Sequence, residues 1–187
     1  VMKGINILKE NDVEFNILSV VTIDSMEFIE ESYKFFIENG FTYLQFIPDI
    51  TSLPSKPGAV YYGEFLIKLF DLWYKDVLSN KQISIRLFED FILNAFRIGG
   101  VTCGMNGYCV LNLVVEHNGD IYPCDFYVSK SQKIGNINND SIEDIVTSQK
   151  AKEFLDNGKF LSKKCNSCSY LAICKGGCKA YKTHNNH

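Results

Sequence analysis

The feature that most constrains this chain is a run of four thiols near its end, Cys165-Asn-Ser-Cys168-Ser-Tyr-Leu-Ala-Ile-Cys174-Lys-Gly-Gly-Cys178. The spacing is C-x2-C-x5-C-x3-C, and Gly176-Gly177 lets the backbone turn tightly between the last two sulfurs. Soft donors crowded so closely are spaced to face an inorganic centre. Cys103, Cys109 and Cys124 bring the total to seven, one short of two complete four-thiolate sites.

Three chemistries compete for such thiols. Disulfide frameworks suit small secreted chains, whereas 187 residues without an N-terminal signal peptide point to the cytoplasm. Structural zinc needs only four thiolates, and C-x2-C is its usual half-site. Zinc ribbons, however, show two such pairs, while C-x2-C-x5-C-x3-C resembles the compact runs that hold iron-sulfur clusters. Zinc stays open on spacing alone. A brown protein carrying labile sulfide would select iron, and a colourless one with stoichiometric zinc the alternative.

Composition excludes other classes. With 46% hydrophobic and 13% aromatic residues the chain can fill a core without metal, so its cysteines are not the staples of a mini-protein. A net charge of −3 leaves no basic footprint for nucleic acid. No apolar run approaches the roughly eighteen residues of a membrane span. The chain opens at Val1-Met2-Lys3-Gly4-Ile5, directly in an apolar helical pattern with no cap, and closes soon after Cys178. Both ends read as cuts through a larger protein. His184 and His187 read as a solvated tail, with tag remnant or metal ligand as alternatives.

In the first half, helical spacing of Ile5 and Leu8 predicts a helix over 2–10 ending at Asn11-Asp12. Phe15–Thr22 is apolar and β-branched almost throughout, as a strand buried on both faces would be. Asp24-Ser-Met-Glu27 reads as a capping-box variant starting a helix with Ile29, Tyr33 and Phe36 inward, stopped at Asn39-Gly40. Tyr43–Pro48 is a second strand, so strand-helix-strand recurs at a spacing that predicts parallel pairing. Pro48, Pro54, Pro57 and Gly58 mark a loop, followed by a helix over 61–78 with Phe65, Leu69, Leu72 and Trp73 inward. Gln82–Phe88 alternates like a half-buried strand, before a helix with Phe91, Ile92, Ala95 and Phe96 inward. Arg86 on that strand reads equally as a substrate-anion contact or a surface arginine.

At Gly99-Gly100 the character changes. Leu111–Val115 and Ile121–Cys124 flank His117-Asn118-Gly119-Asp120, and Asn-Gly is a strong hairpin signal. The hairpin carries Cys109 at its entry and Cys124 at its exit, bringing both sulfurs to one end of the ribbon. Residues 141–156 predict one amphipathic helix capped by Ser141, with Ile142, Ile145, Val146 and Phe154 buried. Lys163-Lys164 would offset part of the negative charge of a thiolate-held centre.

The full pattern, Cys103-x5-Cys109-x14-Cys124 and then Cys165-x2-Cys168-x5-Cys174-x3-Cys178, resembles the SPASM region of radical S-adenosylmethionine enzymes. The strings Cys103-Gly-Met-Asn-Gly, Asn118-Gly-Asp-Ile-Tyr-Pro-Cys124-Asp125-Phe-Tyr and Leu-Ala-Ile-Cys174-Lys-Gly-Gly-Cys178 resemble more closely the anaerobic sulfatase-maturating enzymes of that superfamily. Val13-Glu-Phe-Asn-Ile-Leu, Tyr43-Leu-Gln-Phe-Ile and Leu69-Phe-Asp-Leu-Trp-Tyr74 extend the likeness over nearly the whole chain.

This resemblance implies an α/β fold: residues 1–100 as the C-terminal portion of a partial (β/α)6 TIM-like barrel, and 101–187 as a SPASM auxiliary-cluster domain truncated at its C-terminus. It implies two auxiliary [4Fe-4S] clusters, one on Cys103, Cys109, Cys124 and Cys178, the other on Cys165, Cys168 and Cys174 with an eighth ligand farther downstream. The family's C-x3-C-x2-C motif, which binds the radical-generating cluster and S-adenosylmethionine, is absent from this sequence. The chain alone is therefore expected to be inactive.

For the intact enzyme, the resemblance implies oxidation of a sulfatase cysteine or serine to Cα-formylglycine. An adenosyl radical would take hydrogen from Cβ, a base the thiol or hydroxyl proton, and an auxiliary cluster the departing electron, with flavodoxin or ferredoxin as electron donor. Asp125 matches the position of the family's proposed base. A carboxylate beside an anionic cluster in a dry cavity suits proton abstraction at neutral pH. Its competing reading is an aspartate capping backbone amides at the hairpin end. Two other functions remain: a related SPASM enzyme modifying a different ribosomal peptide, and a non-catalytic metal- or peptide-binding module.

Overall fold

A computed structural model describes residues 1–49, 51 and 56–184, and at 56, 57 and 182–184 it describes the backbone. Pro54 and His187 lie outside the described residues. Two compact units divide the chain, residues 1–89 and 90–187. The division falls inside a helix, upstream of the change of sequence character at Gly99-Gly100.

In the first unit, α1 (Met2–Glu10) places Ile5 inward and ends where Asp12 turns left-handed at φ 53°. β1 (Ile17–Val21) leads to a turn and then α2 (Ile29–Glu38). The capping box does not form. Thr22 and Ser25 exchange hydrogen bonds instead, the Thr22 amide donating to Ser25 Oγ at 2.9 Å and the Ser25 amide to Thr22 Oγ1 at 3.3 Å, while Asp24 is exposed. The helix proper therefore starts later, at Ile29, behind a 3-10 turn over Met26–Phe28. Ile29 and Tyr33 are buried as expected, and Gly40 at φ 71° takes the left-handed stop.

β2 (Tyr43–Pro48), α3 (Lys56–Leu78), β3 (Ser84–Ile85) and α4 (Arg86–Ala95) follow. The sheet is parallel in the order β1-β2-β3, with Ile17 opposite Leu44 and Val21 opposite Pro48. β1 is not buried on both faces. Its burial alternates, with Leu18 57% and Val20 60% exposed, because the register puts them with Gln45 and Ile47 on the face opposite Phe46, against which Phe36 of α2 and Phe65 of α3 pack. The covered face holds Leu44, Phe46, Phe65 and Leu69, and the Trp73 indole donates to the Ile83 carbonyl at 2.8 Å. The loop expected up to Gly58 is shorter: α3 begins at Lys56, so Pro57 falls in its first turn, where proline's missing amide costs nothing. The strand expected over 82–88 keeps only Ser84 and Ile85, and exposed Arg86 opens α4 instead.

In the second unit, β4 (Val114–Val115), β5 (Asp120–Tyr122) and β6 (Gly135–Asn136) form an antiparallel sheet. The hairpin is where the Asn-Gly signal put it, and β6 is an addition, with Gly135 opposite Ile121. The helix expected over 141–156 is two: α5 (Ile142–Thr147) and α6 (Gln149–Asn157), broken where Ser148 turns extended at ψ 154°. Each has a serine cap, Ser141 accepting from the Asp144 amide and Ser148 from the Ala151 amide. The break turns Ile142 outward at 49% exposure, while Ile145 joins Ile121 and Ile134 in a small core and Phe154 is buried. α7 (Lys163–Asn166), α8 (Leu171–Cys174) and α9 (Lys179–His184) complete the unit. Among the described residues, no helix is long and apolar enough to cross a membrane.

Candidate metal centre

The hairpin positions the first sulfurs. Gly119 at φ 84° closes its turn, and pairing continues past the strand ends, the Asn112 amide donating to the Pro123 carbonyl at 3.0 Å. Cys124 follows Pro123 directly, and a 3-10 turn over Asp125–Tyr127 carries the chain away. The Cys124 thiol donates to Asp125 Oδ1 at 3.1 Å. Burial pushes this thiol up to about 12, and the hydrogen bond to the carboxylate adds to the effect. A metal taking this sulfur as thiolate must displace its proton and that hydrogen bond.

Cys103 and Cys109 come from the other side of the hairpin. Cys103 opens a 3-10 turn over Cys103–Met105. A side chain at Gly104 would begin 3.3 Å from Cys178 Cβ, so glycine lets this turn lie against Cys178. At Gly158, after α6, a Cβ would stand 2.6 Å from Cys109 Sγ, again a place only glycine fills. Between them lies an open cavity lined by Cys103, Cys109, Cys178, Tyr108, Lys179 and glycines 104, 158 and 177. Cys178 is in electrostatic reach of Cys103 and Cys109, which share the cavity with it, and of Cys124.

Cys165, Cys168 and Cys174 form a second group, linked by short backbone turns. The Cys168 amide donates to the Cys165 carbonyl and the Leu171 amide to the Cys168 carbonyl, each at 3.1 Å. Cys168 and Cys174 are exposed and Cys165 is half-buried. Three successive left-handed residues then reverse the chain, Lys175 at φ 55°, Gly176 at 88° and Gly177 at 69°. This turn returns Cys178 to the first group although Cys174 is only four residues away.

Three thiols of the first group, Cys103, Cys109 and Cys178, line the cavity. Among the described residues, no three His, Cys, Asp or Glu side chains stand close enough to share one metal ion. Three thiols in the lining and the close approaches at Gly104 and Gly158 fit an iron-sulfur cluster.

Asp125 is exposed, not enclosed in a dry cavity, because the turn over Asp125–Tyr127 leads it out from the hairpin end; it also accepts from the Phe126 amide at 3.1 Å. Lys163 and Lys164 are exposed as well. Two inward residues were not anticipated. Asp90 and Asn94, at i and i+4 on α4, are 0% and 2% exposed, while Ile92 and Phe96, expected inward, are 44% and 74% exposed. Asp90 accepts from the Val101 amide at 2.5 Å and from the Thr102 hydroxyl. Asn94 Nδ2 donates to the Met105 carbonyl at 2.8 Å and the Ile173 carbonyl at 2.9 Å, tying the Cys103 turn to the residue before Cys174. The available signal was a pair of polar residues one turn apart, Asp90 and Asn94, in line with the apolar positions of the helix rather than with Arg86 and Glu89.

The comparisons with known proteins agree on the class. The sequence profile of the SPASM iron-sulfur cluster-binding domain matches residues 107–169. A cysteine-type anaerobic sulfatase-maturating enzyme of Clostridium novyi (strain NT) is 37% identical over 192 residues, covering 99% of this chain and 51% of the relative. A serine-type one from Bacteroides thetaiotaomicron is 30% identical over 200 residues, covering 95% of this chain and 48% of the relative. The solved structure of native anSMEcpe with bound AdoMet and Cp18Cys peptide superimposes with a TM-score of 0.87 at 34% identity, covering 99% of this chain and 53% of that one. The second unit thus contains a SPASM iron-sulfur cluster-binding domain. The chain as a whole is a homologue of the anaerobic sulfatase-maturating enzymes, and it spans about half the length of the curated relatives it matches.

Proposed function

We propose that this chain is the auxiliary-cluster half of a cytoplasmic radical S-adenosylmethionine oxidoreductase that converts a sulfatase residue to Cα-formylglycine. The observation that carries the reading is the cavity lined by Cys103, Cys109 and Cys178, with Cys124 in electrostatic reach of Cys178, in a chain homologous to sulfatase-maturating enzymes. These four would hold one [4Fe-4S] cluster, and Cys165, Cys168 and Cys174 three irons of a second. Held there, a cluster supplies a one-electron acceptor. The higher identity to the cysteine-type relative, 37% against 30%, favours a cysteine substrate.

Oxidising a cysteine side chain to an aldehyde removes a hydrogen atom from Cβ, the thiol proton and one further electron to leave a thioaldehyde, whose hydrolysis by water gives the aldehyde and releases the sulfur as hydrogen sulfide. In this reading Asp125 takes the thiol proton at a carboxylate oxygen. Its exposure leaves it open to a peptide, and its bond from the Cys124 thiol is given up when that sulfur becomes a ligand. Residues 1–89 belong in this reading to a partial barrel, whose interior is the face carrying Leu18, Val20, Gln45 and Ile47. S-adenosylmethionine binding and a ferredoxin or flavodoxin donor belong to the rest of that enzyme.

The test is Asp125→Asn in a polypeptide joining this chain to the radical-generating motif, incubated anaerobically with a sulfatase peptide. Aldehyde on the peptide, read by mass spectrometry, is expected with the unsubstituted protein and lost with the variant. Undiminished aldehyde rejects the base. A thioether or carbon-carbon cross-link in place of aldehyde would assign the protein to the modifiers of other ribosomal peptides.

A further inference from the structure

Lys179 opens α9 directly after Cys178 and is half-buried. Nζ lies 4.4 Å from the centroid of the Phe154 ring and 5.0 Å from that of Tyr127, and donates to the Phe154 carbonyl at 3.5 Å. The two rings meet edge to face at 5.4 Å, so the cation sits in a fixed aromatic clamp. The same side chain lines the cavity with Cys103, Cys109 and Cys178, and its charge interacts with Cys109, Cys124 and Cys178.

We propose that Lys179 is a fixed cation that raises the one-electron reduction potential of the centre held by Cys103, Cys109, Cys124 and Cys178. The proposal deepens the function given above and rests on it. An electron added to a thiolate-held cluster makes a negative site more negative, and a nearby ammonium stabilises the reduced state more than the oxidised one. No bond changes at Lys179 and no proton moves. One electron enters the centre, from the peptide in the reaction and from dithionite in the experiment. A higher potential makes the centre a better acceptor of that electron. Lysines 163 and 164, nearer the other thiols in sequence, are exposed, so solvent screens their charge.

The experiment is a dithionite titration, followed by electron paramagnetic resonance, of the whole chain reconstituted anaerobically with iron and sulfide. Cys103→Ala identifies the midpoint that belongs to this set by abolishing it. Lys179→Met, which keeps most of the apolar stem, is expected to shift that midpoint negative by about 59 mV, the equivalent of a tenfold change in a one-electron equilibrium. Lys179→Arg, which keeps the charge, is expected to hold it in place. A midpoint unchanged in Lys179→Met overturns the inference while leaving the cluster assignment standing. Iron content and midpoints unaffected by Cys103→Ala overturn the assignment, and the inference with it. Should Lys179→Met load no iron, Tyr127→Leu removes one wall of the clamp and keeps the lysine. A smaller negative shift there supports the proposal and none overturns it.

Discussion

In the first unit β1 and β2 pair over five residues, and Leu69 and Ile85 are fully buried against helices. In the second no described strand exceeds three residues, and the core round Ile121, Ile134 and Ile145 is small. Added to apolar burial there, where Met105, Tyr122, Phe154 and Ala180 are also buried, is a set of specific devices: Asp90 and Asn94 bonded to backbone, glycines 104 and 158 admitting cysteines at contact distance, and serine caps on α5 and α6. Hydrophobic burial is non-directional and tolerates approximate geometry, whereas each of these devices works at one geometry only. The contrast teaches that the first unit can stand on its apolar core, while the second is built to hold thiols in place and gains stability when they are engaged, since metal binding and folding draw on the same free energy.

The strongest attempt to break that comparison is to remove iron. Chelation, or Cys178→Ala in the reconstituted chain, is expected to strip amide protection from residues 101–184 while leaving residues 1–89 as slow to exchange as before, measured by hydrogen-deuterium exchange. Equal loss in both units would refute the contrast.

Next comes Leu69→Ala, which opens a cavity at a fully buried site. About 2–5 kcal/mol is expected from the first unit's stability in urea, to the same extent with and without iron. A loss that depended on iron would mean that the two units share one stability.

A smaller effect is expected at Asn94. Replacing it with alanine leaves the Met105 and Ile173 carbonyls without their donor, at a cost of about 1–3 kcal/mol. Exchange should quicken around residues 101–105 and 171–175 together, because one side chain serves both. Quickening at only one segment would show that the other is held independently.

Ser148→Ala should have the smallest effect, about 1 kcal/mol from the lost cap of α6, seen as a lowered thermal midpoint with intact iron content. It sharpens the comparison by separating ordinary helix capping from the ties that serve the thiols.

Much of the fold was legible because periodicity and turn chemistry are local. The run of Val and Ile before Asp24 announced β1, Asn118-Gly119 announced the hairpin, and Ser141 announced a cap, all of them present. The misreadings share one cause. Phe15–Thr22 looked doubly buried because apolar residues filled both faces of the strand, but which faces are covered depends on where α2 and α3 lie. Ile92 and Phe96 looked inward because they are apolar, whereas α4 turns its polar Asp90 and Asn94 inward to meet backbone groups as far away as Ile173. Ser148 hid a break inside a continuous amphipathic pattern, since a serine mid-helix and a serine cap read alike until the backbone is seen.

By itself the amino-acid sequence determined the number and softness of the donors, the parallel strand-helix-strand order of the first unit and the hairpin that brings Cys124 towards Cys109. Only the tertiary structure decided how three left-handed residues turn Cys178 back from the run it follows in sequence, that Asp90 and Asn94 brace the loops, and that Lys179 rather than Lys163 or Lys164 lines the cavity with the thiols. The physical reason is range. Helices, turns and caps arise from neighbours within a few residues, but which sulfur meets which, and beside which charge, depends on close approaches between segments far apart in the chain, and on glycines whose role appears only when another backbone comes to rest against them.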